Sequence, residues 1–123
     1  MRRTDLRSMT GGQLVDRFVA IAVEQDEASF DDQISKFNRL YDQMKEVIDE
    51  LKSRPGDQRS ILLPLYNHPN IQVRLKAART TIDIAPEAAR DVFQKIVDSR
   101  RYQQAADALA AIRRLDGKPI VPD

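Results

Sequence analysis

Two helical patterns meet at a turn in residues 62–78, which read LLPLYNHPNIQVRLKAA. The turn ends at Asn70, because proline disfavours a helical conformation in the residue before it and asparagine is a preferred helix N-cap. Apolar residues then recur three and four apart, which predicts a helix over residues 70–85. On the other side of the turn, Pro64 lies inside an apolar pattern over residues 57–67 and predicts a bent or shortened helix.

The same periodicity predicts four more helices outside this stretch. They cover residues 10–28, residues 31–53, the residues from Pro86 onward and residues 101–116. Thr10 and Gln13 have the spacing of a reciprocal capping box, and Gly117 suits the position just after a helix end. With only four Gly and six Pro, and without sustained alternation of apolar and polar residues, the sequence predicts an all-α fold.

Each predicted helix has an apolar face that we expect to be buried. In the helix 10–28 this face holds Leu14, Phe18, Ile21, Ala22 and Gln25, and in the helix 31–53 it holds Ile34, Phe37, Tyr41, Met44, Ile48 and Leu51. Leu40 and Val47 broaden the second face to a wide apolar arc. In the helix 70–85 the apolar face holds Ile71, Leu75, Ala78, Ile82 and Ala85, and in the helix 101–116 it holds Tyr102, Ala105, Ala106, Leu109 and Ile112. Ile48 and Leu75 are expected to anchor the core.

Six helices with short connections predict three antiparallel hairpins. A chain of 123 residues has room for a single domain. Residues 10–53 would form the first hairpin and residues 57–116 the other two, with short tails at 1–9 and 117–123.

The segment from Leu62 to Tyr66, followed by His68-Pro69-Asn70, Val73-Arg74 and Ala77-Ala78, resembles a HEAT repeat. In that family the second helix of a hairpin opens with an acidic or amide cap and a Val-Arg pair, and Asn70 stands where the family usually has Asp. The resemblance covers about a quarter of the chain and implies a short right-handed stack of hairpins, an α-α superhelix. The last two predicted helices lack a clear Val-Arg pair, so the repeat is degenerate there.

The whole chain also looks like a small bacterial family known only as a domain of unknown function. The similarity is carried by Leu14-Val15-Asp16-Arg17-Phe18, Gln25-Asp26-Glu27, Arg54-Pro55-Gly56-Asp57 and Val73-Arg74-Leu75-Lys76-Ala77-Ala78. It implies a free-standing domain with a HEAT-like second half, and it carries over no activity.

The scarcity of reactive side chains removes most enzyme classes. The sequence has no Cys and a single His, which excludes disulfides, thiolate zinc sites and cysteine nucleophiles. His68 has no second His or Cys to act with, so we expect a structural or exposed role for it. The acidic residues between Asp26 and Asp32 lack the glycine and the ligand alternation of a calcium loop, which favours a solvated helix junction. We therefore expect no catalytic residue, no metal, no cofactor and no enzymatic activity.

Charge is distributed unevenly along the chain, although the net charge is only +1. Residues 10–53 carry five basic and ten acidic residues, and residues 54–123 carry twelve basic and eight acidic ones. The acidic residues of the helix 31–53 include a candidate acidic ridge, formed by Asp42, Glu46 and Asp49. The basic second half raises the alternative of a nucleic-acid-binding module, which its interspersed aspartates and sparse aromatic residues disfavour.

Non-enzymatic protein binding is the function that these patterns favour, because helical stacks use one row of helices as a recognition face. The candidate interaction surface consists of Lys76, Arg79, Thr80, Asp83, Arg101, Gln104, Asp107 and Arg114. Ala111 is expected to face outward beside them. An antitoxin-like immunity protein is one concrete version, existing as a monomer or as a weak homodimer that pairs this surface with the acidic ridge. No apolar run approaches the roughly 18 residues of a membrane span, so a cytoplasmic location is expected.

Overall fold

The computed structural model describes residues 6–30 and 33–117, apart from the side chains of Ser29, Phe30 and Tyr102. Within those residues the regular structure is helical throughout, which confirms the all-α class. The elements are α1 (Gly11–Phe30), α2 (Ile34–Ser53), a 3₁₀ helix (Gln58–Asn67), α3 (Ile71–Thr80), α4 (Pro86–Asp98) and α5 (Tyr102–Leu115). The predicted roles of Asp31, Asp32, the side chain of Tyr102 and residues 1–5 and 118–123 lie outside the described part.

The chain forms two compact units, an N-terminal unit of Met1–Leu62 and a C-terminal unit of Leu63–Asp123. In the N-terminal unit α1 packs against α2. In the C-terminal unit α4 packs against α5, and α3 contacts both. The first and last predicted helix pairs therefore pack as pairs, while the single domain and the right-handed HEAT-like stack stay predictions.

The helix α1 begins and packs as its sequence predicts. The Thr10 amide donates to Oε1 of Gln13 at 2.8 Å, and the Gln13 amide donates to Oγ1 of Thr10 at 3.1 Å, which completes the capping box. The predicted apolar face is buried from Leu14 through Gln25. On its flank, Arg17 donates to Oε1 of Gln43 on α2 at 3.0 Å.

The helix α2 buries only part of its predicted apolar arc. Its buried apolar residues are Leu40, Met44, Val47 and Leu51. Ile34 and Tyr41, predicted in the buried seam, are 71% and 54% exposed, and Ile48 is only half-buried, so it is not the core anchor. Since the apolar arc of this helix is wide, it allows two rotations about the helix axis, and packing against α1 selects one of them.

Arg54 ties the start of the described chain to the end of α2. Its Nε donates to Oε2 of Glu50 at 2.9 Å, and its Nη2 donates to the carbonyl oxygens of Leu6 and Met9 at 3.1 and 2.7 Å. Leu6 is 2% exposed. Residues 6–9 are therefore held against the end of α2, whereas the sequence predicted that they belong to a tail.

The predicted turn is present. The element before it is a 3₁₀ helix, and the α-helix after it is shorter than predicted. The residues around Pro64 form a 3₁₀ helix, in which hydrogen bonds join residues three apart. Oδ1 of Asn70 accepts from the amides of Gln72 at 2.8 Å and Val73 at 3.1 Å, which confirms the N-cap. The helix α3 then ends at Thr80, and residues 81–84 form turns instead of continuing the helix to residue 85.

The core of the C-terminal unit is built from small and medium-sized side chains. It contains Ile71, Leu75, Ala78, Ala89, Val92, Phe93, Ile96, Ala108, Ala111 and Ile112. The predicted anchor Leu75 is completely buried. In α5, however, Leu109 is 40% exposed and Ala106 is exposed, while Ala108 and Ala111 face the core. The short alanine side chains let α5 approach its neighbours closely, so its buried face is rotated from the predicted one.

Candidate functional site

A groove lies in the C-terminal unit where α3 and α5 end and α4 begins. Its volume is about 500 Å³, and it is lined by Arg79, Ile82, Asp83, Pro86, Arg114 and Leu115. Three of these residues, Arg79, Asp83 and Arg114, belong to the candidate interaction surface predicted from the sequence. The groove is therefore the place where the structure brings part of that surface together.

The ends of the helices determine which charges stand at the groove. Arg79 lies in the last turn of α3, and Arg114 lies in the last turn of α5. The carbonyl ends of helices carry partial negative charge, and basic side chains are favourable there. Pro86 opens α4, where its missing amide hydrogen leaves no bond unmade. The two arginines are exposed and make no hydrogen bond or ion pair with the described residues.

The floor of the groove is apolar. Ile82 and Leu115 are half-buried and pack against the core, and Pro86 is exposed beside them. Ile84, which follows Asp83, is 41% exposed. From the sequence, Ile82 was expected in the core and Pro86 at the start of a helix, and Leu115 was not singled out. These residues line the groove because α3 stops at Thr80. The helical periodicity had predicted a helix end five residues later, at Ala85.

Lys76 and Thr80 of the predicted surface lie one turn apart on α3 and are half-buried. The Thr80 hydroxyl donates to the carbonyl oxygen of Lys76 at 2.7 Å. Burial, together with the positive charge of Arg79, lowers the pKa of Lys76 below its usual range, and the carboxylate of Asp107 opposes that change. Lys76 therefore has a desolvated ammonium group and is not a freely exposed cation.

The remaining surface residues on α5 do not join the groove. Gln104 is 6% exposed, and its amide donates to Oε1 of Gln72 at 3.1 Å, so the prediction that it faces outward is wrong. Ala111 is also buried, at 7% exposure. Asp107 and Arg101 are exposed. Arg101 lies at the N-cap position of α5 and Arg114 lies in its last turn, so the two are about 20 Å apart at a rise of 1.5 Å per residue.

The other candidate residues from the sequence occupy separate places. Asp42 of the acidic ridge is exposed, whereas Glu46 and Asp49 are half-buried on α2. His68 is half-buried, and its Nδ1 accepts from the amide of Asn70 at 3.0 Å, which supports the turn before α3. Among residues 6–30 and 33–117, no three His, Asp or Glu side chains are grouped to hold a metal ion.

Residues 12–116 match the model of a family described as a domain of unknown function (DUF2019). The chain belongs to this family. It is also similar to a solved structure, the protein RPA1889 from Rhodopseudomonas palustris CGA009, with 47% identity and a TM-score of 0.88. That similarity covers 96% of this chain and 98% of the other. No curated protein matches the chain significantly.

The DUF2019 resemblance seen in the sequence includes Arg54-Pro55-Gly56-Asp57, and the structure gives this segment a structural role. Gly56 and Asp57 both have positive φ, at 78° and 51°, which turns the chain sharply after α2. The Asp57 carboxylate accepts from Nε of Arg59 at 2.9 Å, and this hydrogen bond keeps the pKa of Asp57 below its usual range. The segment's polar groups are thus engaged within the chain.

In the part of the chain that the structure describes, every helix is too short or too polar to cross a membrane.

Proposed function

We propose that this DUF2019 domain is a non-enzymatic protein-binding module whose groove captures an acidic surface of a partner protein. The observation that carries the proposal is an apolar floor, formed by Ile82 and Leu115, between Arg79 and Arg114. Protein interfaces draw most of their binding energy from a buried apolar centre inside a polar rim. Charge alone is insufficient, because exposed ion pairs contribute only about 0–1 kcal/mol each.

One concrete version is an antitoxin-like immunity protein, which inhibits its target by binding and needs no chemistry of its own. This proposal keeps the cytoplasmic location expected from the sequence and requires no cofactor. A second copy of the chain is a further candidate partner, since Asp42 of the acidic ridge is exposed. That pairing would give a weak homodimer.

The test is the double charge reversal Arg79→Glu plus Arg114→Glu, because both side chains are exposed and line the groove. We expect the free energy of unfolding to change by less than about 1 kcal/mol, as is usual for surface substitutions. Partners recovered from native cytosol should fall at least about tenfold by quantitative mass spectrometry, as expected when two steering charges are reversed.

The matched control is Arg39→Glu, a reversal at an exposed arginine of α2 that should leave recovery unchanged. Full recovery of every partner by the doubly reversed protein contradicts the proposal. Tight binding to nonspecific duplex DNA that falls steeply with salt would instead support nucleic-acid binding. Sedimentation of the parent and of Asp42→Lys distinguishes a homodimer from a complex with another protein.

A further inference from the structure

A cavity in the C-terminal unit lies between the end of the 3₁₀ helix, α3 and α4. It has a volume of about 230 Å³, and its lining includes Leu63, Tyr66, Arg74, Asp91, Val92 and Lys95. None of the residues that line the groove lines this cavity. It is therefore a separate feature, and an inference about it does not depend on the proposed function.

Arg74 is the residue in this cavity whose bonding is incomplete. Its Nε is buried without a hydrogen-bond partner, and its guanidinium makes no ion pair with any described residue. A buried polar group without a partner costs about 1–3 kcal/mol, and more if it is charged. Nearly all such groups in native proteins find a partner, whether protein, water or ligand. Nε has almost no accessible surface, whereas the terminal Nη groups of Arg74 are accessible and have no acceptor among the described residues.

The polar neighbours of Arg74 in the cavity do not provide such an acceptor. The hydroxyls of Tyr66 and Thr81 form a hydrogen bond with each other, and neither Tyr66 nor Asn67 accepts one from Arg74. Asp91 lines the same cavity but forms no ion pair with Arg74. An acceptor in the cavity can reach the terminal Nη groups of Arg74, and a carboxylate matches these two groups in geometry and charge.

The cavity also limits the charge and size of its ligand. Two cations, Arg74 and Lys95, stand against one carboxylate, Asp91, which favours a ligand with a single negative charge. Val92 is 8% exposed and, with Leu63 and the ring of Tyr66, gives the cavity an apolar wall. A dry cavity of about 150 Å³ holds benzene, so this one has room for a benzoate-sized acid.

We propose that this cavity binds a monocarboxylate with a compact apolar body, whose carboxylate pairs with Arg74 and Lys95. Such a carboxylate has two sources. It is either a free small acid or the carboxylate of a protein segment that ends in an apolar residue. Both sources require Arg74, and they differ in what lies beyond the apolar body.

Benzoate is the probe for the first source, and NMR on the full chain is the measurement. The Nε–Hε resonance of Arg74 should shift on titration and saturate, with a dissociation constant in the roughly millimolar range expected for a ligand of this size. Benzamide, which has the same shape without the charge, should bind at least tenfold more weakly. Arg74→Gln should weaken benzoate binding at least tenfold, while Arg39→Gln on α2 should leave it unchanged.

A short peptide ending in phenylalanine, with a free or an amidated C-terminus, is the probe for the second source. Tighter binding of the free acid than of benzoate identifies a protein segment, and the reverse identifies a small acid. The proposal is overturned if benzamide binds as well as benzoate, if Arg74→Gln binds undiminished, or if inorganic phosphate binds more tightly than benzoate. Should Arg74→Gln fail to fold, an unmoved Arg74 resonance in the parent at saturating benzoate overturns it equally.

Discussion

Some arginines of the C-terminal unit lack the partners that the buried and half-buried arginines of the N-terminal unit have. In the N-terminal unit, Arg17, Arg54 and Arg59 are half-buried or buried, and each donates hydrogen bonds to another residue of the unit. In the C-terminal unit the half-buried Arg90 is also paired, since its Nε donates to Oδ1 of Asp116 at 3.2 Å. Arg74, however, is half-buried with an unpartnered Nε, and the exposed Arg79 and Arg114 stand at the groove without a partner among the described residues. The paired arginines stabilise the fold, whereas ligand contacts are proposed for the other three.

The cores of the two units also differ, in the length of their helices and in the size of their buried side chains. The N-terminal unit packs two helices of 20 residues each and buries mainly large side chains such as Phe18, Leu51 and Met44. The C-terminal unit packs helices of 10, 13 and 14 residues, and four of its ten core residues are alanines. Shorter helices end closer to one another, so their termini and the polar groups there meet around the groove. This contrast is the reason that both proposed binding sites lie in the C-terminal unit.

The largest expected effect concerns Phe18 in the N-terminal unit and Phe93 in the C-terminal unit, which are both fully buried. Phe18→Ala and Phe93→Ala should each lower the free energy of unfolding by about 3–5 kcal/mol, because both side chains are 0% exposed. Urea denaturation measures this loss, and hydrogen exchange locates it. Ile48→Ala is the matched control on the half-buried edge of α2, with an expected loss of about 1 kcal/mol. An Ile48 loss equal to the Phe18 loss would contradict the burial assigned to α2.

The second prediction separates the paired arginine from the unpartnered one. Arg54→Met should cost about 3 kcal/mol, because it leaves the buried carboxylate of Glu50 and two carbonyl oxygens without their donor. Arg74→Met, which removes a buried polar group without a partner in the protein, should leave stability unchanged or raise it by about 1–3 kcal/mol. Thermal and urea unfolding of both variants give the two values. Equal losses at the two positions would erase the contrast between the units.

The third prediction uses one residue from each unit with positive φ. Arg100 has φ of 58°, and its replacement by glycine should raise the free energy of unfolding by about 1 kcal/mol, because glycine adopts this conformation without steric cost. Asp57 has φ of 51°, but Asp57→Gly also removes the carboxylate that holds Arg59, so no gain is expected. A clear gain from Asp57→Gly would mean that its ion pair with Arg59 contributes little.

The smallest effect concerns Tyr66, whose hydroxyl bonds to Thr81. Burial raises the pKa of Tyr66 above its usual value, and the hydrogen bond to Thr81 opposes this change. The native state therefore holds the phenolic proton more tightly than the unfolded state, and this contribution to stability is lost as pH rises from about 10 through the native pKa. Tyr66→Phe should cost about 1 kcal/mol or less at pH 7. The difference between parent and variant should shrink above pH 10, and a constant difference would contradict the burial of the Tyr66 hydroxyl.

Local features were predictable to the residue where a few neighbouring amino acids determine them. The capping box of Thr10 and Gln13, the cap at Asn70 and the left-handed Gly117 all follow from hydrogen bonds or backbone preferences within four residues. The buried faces of α2 and α5 were predicted less well. Tyr41 and Leu109 are apolar and correctly spaced but exposed, because hydrophobic periodicity identifies an apolar arc without saying which edge of it meets a neighbour.

The candidate site, too, could be predicted from the sequence only in part. Arg79, Asp83 and Arg114 were predicted as surface residues from the helical period alone, since each lies away from an apolar stripe. The sequence did not place them beside Ile82 and Leu115, because that depends on where α3 stops and how α5 is rotated. Gln104 was misplaced for the same reason, as its hydrogen bond to Gln72 joins residues 32 positions apart.

By itself, the sequence determined that this protein is all-α, where most of its helices begin, and that its second half carries the excess of basic residues. These properties depend on backbone preferences and composition, which act over a few residues. Only the tertiary structure decided that Arg54 is bound within the chain and that Arg74 lines a cavity without a partner. Whether a charged side chain finds a partner depends on residues that are distant in sequence and brought close by helix packing.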